Sequence, residues 1–236
     1  MTAASLDVRG LSAGYGPTRI LEEVSFSVPA GGRLAVLGRN GMGKTTLFAT
    51  IAGQTKHYGG TVTLGGAEIT GQDGPARGLG GLGYVPQSRS IFKSLTVEEN
   101  LFVGLKSRPK SAIEEAYAMF PRLKERRANL GSQLSGGEQQ MLSTARSILG
   151  QPSVLLLDEP LEGLAPVICE ELMAAFTQLA SSKAMTILLV EQRIKAALDF
   201  AENVVILERG RVAWSGTSAD LEAQPETVDR LLGVGH

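Results

Sequence analysis

Residues 38–45 read Gly38-Arg39-Asn40-Gly41-Met42-Gly43-Lys44-Thr45, and no other stretch of this chain limits its fold as strongly. Glycines at the first, fourth and sixth positions let the backbone curl so that successive N–H groups point at one anion. A helix opening behind them adds its positive end. Such a loop works only between a strand and a helix, and the sequence supplies both. Arg33–Leu37 is an apolar strand, and residues 44–52 are helical, closed by Gly53. Lys44 brings a mobile charge for outer phosphates, and Thr45 places a hydroxyl to hold magnesium. Asn40, Gly41, Gly43, Lys44, Thr45 and Thr46 are therefore the candidate phosphate contacts, in an α/β chain.

A second stretch supplies what the loop lacks. Val154-Leu155-Leu156-Leu157-Asp158-Glu159 is an apolar strand ending in two carboxylates. Alone it is a strand meeting water. Beside a phosphate loop, Asp158 can hold the shell of a magnesium ion, and Glu159 can polarise a water for in-line attack on a terminal phosphate.

Composition narrows the class further. Lys plus Arg total 23 against 24 Asp plus Glu, a formal net charge of -1, without the basic excess of a duplex nucleic-acid binder. The one cysteine, Cys169, cannot form an internal disulfide and is expected as a small packed side chain in a reducing compartment. The start, MTAASLDVRG, lacks the basic then apolar pattern of a signal peptide. Apolar runs such as Ile187–Val190 fall far below the roughly 18 residues needed to span a bilayer. A cytoplasmic protein is expected.

Strand patterns at residues 6–9, 20–28, 33–37, 61–64 and 82–85 precede a helical stretch over about residues 90–150, where three capping boxes are expected. Thr96 with Glu99 opens a helix through Leu105, Ser111 with Glu114 a second, and Ser135 with Glu138 a third. Strand signals return at residues 154–157, 186–190, 204–207 and 211–214. A β/α nucleus with a helical insertion follows.

Leu134-Ser135-Gly136-Gly137-Glu138-Gln139 lies about twenty residues before the acidic strand. Phosphate loop, this Ser-Gly-Gly-Glu segment and acidic strand, in that order, resemble the ATP-binding cassette (ABC) ATPases over essentially the whole chain. The resemblance implies a P-loop ABC cassette with a RecA-like core, an N-terminal antiparallel β subdomain and an inserted α-helical subdomain. It implies one domain, with 1–88 and 151–236 forming core and β subdomain and 89–150 the helical signature subdomain. ATP and Mg2+ are the implied cofactors. Two cassettes would sandwich ATP, so Ser135, Gly136, Gly137 and Glu138 would face nucleotide held by a partner. Tyr15 matches the aromatic that stacks on adenine, worth about 1–3 kcal/mol by analogy with base stacking. Gln87, in Tyr84-Val85-Pro86-Gln87, matches a glutamine that reaches the magnesium, and residues 88–97 would face a membrane partner.

Finer stretches, including Leu95–Leu101, Phe120–Arg126 and Gly163-Leu164-Ala165-Pro166, look like the ATPase subunits of branched-chain amino acid importers. Urea and short-chain amide importers are near relatives, and lipopolysaccharide-export ATPases share the short architecture. The expected partners are a second ATPase subunit in a heterodimer, two membrane permeases and, indirectly, an extracytoplasmic binding protein, at the cytoplasmic face of the inner membrane. No nucleic acid is expected. Two departures stand out within the resemblance. Gln192, ending Leu188-Leu189-Val190-Glu191-Gln192, takes the place of a histidine that contacts the γ-phosphate. Ala165 stands where many relatives carry an Asp. The expected catalytic set is Lys44, Gln87, Glu159 and Gln192, with Thr45, Gln87 and Asp158 on the metal. His57 and His236 are expected at the surface.

Overall fold

The computed structural model describes residues 2–233. His236 and the expectation attached to it lie outside them.

Six strands form the central sheet. Arg33–Leu37 (β3), Leu82–Val85 (β6), Val154–Asp158 (β7), Thr186–Val190 (β8) and Asn203–Glu208 (β9) run parallel. Arg211–Thr217 (β10) closes one edge antiparallel, in the order β10-β9-β3-β8-β7-β6. Every residue of β7 and β8 is buried, which explains the apolar runs Val154–Leu157 and Ile187–Val190: both faces of a parallel sheet are covered. Alternate residues go to separate cores. Leu155, Leu157, Ile187 and Leu189 face the helical side, while Val154, Leu156, Leu188 and Val190 face an antiparallel sheet.

That second sheet holds Leu6–Tyr15 (β1), Thr18–Val28 (β2), Lys56–Leu64 (β4) and Ala67–Glu68 (β5) in the order β2-β1-β4-β5. β1 and β4 extend well beyond the segments at 6–9 and 61–64 expected from alternation. Register shifts near Ser12 and Ala13 interrupt the two-residue period, so the pattern breaks while the pairing continues. The helix Lys44–Ile51 (α1) is almost wholly buried between this sheet and the central one, and Gly74–Leu79 (α2) follows β5.

The helical stretch comprises Val97–Gly104 (α3), Ile113–Met119 (α4), Pro121–Glu125 (α5) and Gly136–Leu149 (α6). Thr96 with Glu99 caps α3, and Ser135 with Glu138 caps α6, each as a reciprocal box. The Ser111 box does not form. Ser111 sits inside a short 3-10 turn, Lys110–Ala112, which feeds α4 directly, and Ala112 occupies the cap position without a side-chain bond. The turn already supplies helical geometry ahead of α4, so no side chain is needed to start it. Pro166–Ser181 (α7) and Ile194–Phe200 (α8) pack on the central sheet, and Ser218–Glu222 (α9) and Pro225–Leu232 (α10) end the described chain. Cys169 is buried on α7 and His57 is exposed on β4.

Candidate functional site

Parallel pairing sets the site. Val36 pairs with Val190, Asp158 with Val190, and Val85 with Leu157. The segments leaving β3, β8, β7 and β6 therefore emerge side by side at the carboxyl ends of their strands, where open α/β sheets bind ligands. Those segments carry the phosphate loop, Gln192, Glu159 and Gln87. The result is a cleft of about 380 Å3, lined among others by Tyr15, Gly41, Lys44, Thr45, Gln87, Glu159 and Gln192.

The phosphate loop is held by its backbone. Gly43, at φ 100, turns the chain into α1, a left-handed conformation that a side chain would strain. Gly38 lies so close to β9 that an added Cβ would stand 2.5 Å from the Leu207 carbonyl oxygen. Lys44, the first residue of α1, folds back into the loop. Its ammonium donates to the carbonyls of Gly38 at 2.8 Å and Arg39 at 3.1 Å, and stands 3.5 Å from Glu159 Oε1. A buried cation is thus held within the loop, paired with the carboxylate that ends the acidic strand.

Asp158 is fully buried, and burial pushes its carboxyl up to about 6, against hydrogen bonds from Tyr84 and Thr45. Thr45 Oγ1 lies 3.2 Å from Asp158 Oδ1 and Tyr84 Oη donates to Oδ2 at 3.1 Å. Burial and Asp158 in turn raise the Tyr84 phenol. Among the described residues no group of three or more His, Cys, Asp or Glu is arranged to hold a metal. One carboxylate beside one hydroxyl nonetheless fits magnesium, which takes one or two protein carboxylates and completes its shell with phosphate oxygens and water.

Glu159 follows at φ 47 and is held from three sides. Gln192 Nε2 donates to its Oε2 at 2.7 Å, Gln87 Nε2 donates to the same oxygen at 3.2 Å, and Lys44 faces Oε1. Gln87 also donates to Glu162, a carboxylate on the cleft wall that the motifs did not single out. Tyr15, 50% exposed, offers an aromatic face at the cleft mouth. Asn40 and Thr46 also line the cleft.

Ser135, Gly136, Gly137 and Glu138 are not among the cleft residues. Ser135 Oγ accepts from the Glu138 N–H at 3.3 Å, and Glu138 Oε2 accepts from the Ser135 N–H at 2.8 Å, so the box presents the free start of α6 elsewhere on the surface. Ala165 is the N-cap of α7 and gives it no side-chain bond.

The sequence model of the family described as ABC transporter matches residues 21–162, over half the chain. The chain belongs to the ABC transporter family. This ABC ATPase is 37% identical over 227 residues to the high-affinity branched-chain amino acid transport ATP-binding protein BraG of Pseudomonas aeruginosa, covering 94% of this chain and 97% of that one. It is 38% identical over 228 residues to the probable branched-chain amino acid transport ATP-binding protein LivF of Archaeoglobus fulgidus, covering 95% and 97%. Its fold superposes on a solved ATP-binding subunit of an ABC transporter with a TM-score of 0.82, at 28% identity over 94% of this chain and 93% of that one. ATP binding and hydrolysis, and the cassette fold, thereby belong to this chain.

Proposed function

We propose that this ABC ATPase powers an importer of branched-chain or other hydrophobic amino acids. The observation that carries this reading is end-to-end similarity to two ATP-binding proteins of branched-chain amino acid transport. The cleft supports its chemistry. Tyr15 stacks on the adenine, and the amides of residues 40–46 with Lys44 take the phosphates. Lys44 leaves Glu159 for the outer phosphates as nucleotide enters. Thr45, Asp158 and the Gln87 side chain would hold Mg2+, which would supply charge neutralisation on the phosphates. Glu159 then accepts the proton of the attacking water. Gln192 donates a neutral hydrogen bond, roughly half as strong as the charge-assisted bond of an imidazolium.

Ser135–Glu138, outside this cleft, are left to a second cassette, in a heterodimer by this reading. Among the described residues no helix is long and apolar enough to cross a membrane. By similarity to ATP-binding proteins of transport, translocation is assigned to permease partners. Their docking surface begins at residues 88–97. Phe92 is 46% exposed, whereas Ile91 is half-buried against the helical core, so only one of the pair is offered outward. Asn100, wholly buried, holds this loop by accepting from Phe92 N–H and donating to the carbonyls of Phe92, Leu95 and Thr96. Phe92 lines a groove with Val103 and Arg146, whose guanidinium stacks 4.9 Å from the Phe92 ring. Single cysteines at the exposed Ser90 and Lys93 are expected to crosslink to a permease in native membranes. Adducts to lipid alone would move the interface elsewhere.

Uptake tests the substrate class. Cells lacking this chain are expected to lose accumulation of radiolabelled leucine and regain it with the intact gene. Normal leucine uptake together with lost urea or amide uptake would replace the substrate.

A further inference from the structure

Behind the cleft stands a carboxylate to which the scheme above gives no part. Glu191 is 3% exposed, and no lysine or arginine pairs with it among the described residues. Three backbone N–H groups hold it instead. Leu161 donates to Oε1 at 3.1 Å, and Gln192 and Arg193 donate to Oε2 at 3.0 and 3.2 Å.

These donors belong to two different turns. Leu161 lies two residues beyond Glu159, on the segment leaving β7. Gln192 and Arg193 lead from β8 into α8. One side chain therefore ties the turn that carries Glu159 to the turn that carries Gln192. We infer that Glu191 is a positioning residue for hydrolysis, a clamp that sets Gln192 and Glu159 in register with each other.

Other bonds close the same ring. The Glu159 N–H donates to the Val190 carbonyl at 2.9 Å, and the Gln192 side chain returns to Glu159 Oε2 at 2.7 Å. Glu159 itself adopts φ 47, a conformation that costs a non-glycine residue of order 1–3 kcal/mol and persists only where its surroundings over-determine it. Glu191 supplies part of that determination from the far side of the turn. The side chain suits the task because an ionised carboxylate has two oxygens that only accept, and all three groups aimed at it are donors. An amide of the same shape must turn its own NH2 toward one set of those donors. A buried charge without a cation is expensive unless hydrogen bonds satisfy it, and here the satisfying bonds are the ones that fix the two turns.

Misplacement of a reacting group by about 1 Å can cost 100-fold in rate, so the clamp should act on turnover and leave ATP binding alone. The inference rests on the assignment of Glu159 and Gln192 to hydrolysis, so the full chain is tested with Glu159→Gln as control. If that control turns over normally, the reading of the site fails. With the control stalled, Glu191→Gln is expected to lower turnover about 30-fold or more while the ATP dissociation constant stays within about twofold. Amide exchange is expected to quicken at Leu161, Gln192 and Arg193 together. The double variant Glu191→Gln with Gln192→Ala should be no slower than the worse single variant, since both break one unit. Multiplied losses in the double variant, a matching rise in the dissociation constant, or unchanged exchange at Leu161 would each overturn the clamp.

Discussion

Glu159→Gln is expected to bind Mg-ATP at least as well as the native chain and to turn it over about 100- to 10,000-fold more slowly, the span usual for loss of a general base. The neutral amide keeps the volume of the side chain, and its oxygen can still accept from Gln192 Nε2, now 2.7 Å from Glu159 Oε2. What it loses is the capacity to take a proton from water. It also removes a negative charge from the wall facing the phosphates, which favours binding. Lys44→Ala should behave oppositely. The Lys44 ammonium is buried, bonded to two loop carbonyls and 3.5 Å from Glu159 Oε1. Its removal strips the loop of the one cation folded into it and leaves Glu159 buried without its counter-charge. Truncating one member of a charge pair buried on binding, here Lys44 with the phosphates, costs about 2–5 kcal/mol, so ATP affinity should fall by roughly 30-fold or more. Calorimetry with Mg-ATP separates the two. If Glu159→Gln loses as much affinity as Lys44→Ala, the carboxylate serves binding and its role as base is wrong.

The sequence disclosed the elements of this site better than their connections. A phosphate loop constrains strand and helix on both sides of itself, so β3 and α1 could be placed to within a residue. Strands such as β8 were legible because burial on both faces demands an uninterrupted apolar run. Ser135 and Thr96 could be placed as caps because a reciprocal box is a local device, complete within four residues. The same pattern misled at Ser111, where the preceding 3-10 turn had already begun the helix. What stayed hidden is nonlocal. Tyr84 meets Asp158 across 74 positions, Gln87 meets Glu162 across 75, and Glu191 meets Leu161 across 30. Each pairing follows from strand register, which no short motif encodes. Glu191 stood in plain view within Leu188–Arg193, yet only the fold shows that its carboxylate points back toward β7 rather than into solvent.

Arg77, on α2, is likewise silent in sequence, and its replacement by Ala is expected to destabilise the chain by about 4 kcal/mol. The side chain is 4% exposed, and burial lowers its pKa, yet no carboxylate pairs with it among the described residues. Its partners are four backbone carbonyls. Nη1 donates to Thr50 and Ile51, both at 2.8 Å, Nε to Gln72 at 3.0 Å and Nη2 to Thr70 at 2.7 Å. Thr50 and Ile51 end α1 at the negative end of the helix dipole, where the Thr50 carbonyl also accepts from the Gly53 N–H at 3.0 Å. The guanidinium therefore completes the helix that begins at the phosphate loop and staples to it the segment joining β5 and α2. Alanine would leave the carbonyls of Ile51, Thr70 and Gln72 without this donor, while Thr50 keeps the Gly53 N–H. Lysine should recover less than half of the loss, because a single ammonium cannot fan across four carbonyls as a planar guanidinium does. At roughly 2–4 °C per kcal/mol for a chain of this size, the melting midpoint should fall by about 8–16 °C in Arg77→Ala. Thermal unfolding of the two variants decides the matter. A shift under about 2 °C in Arg77→Ala, or full recovery by Arg77→Lys, would show that water or a rearranged α2 can replace the fork, and that α1 keeps its end without it.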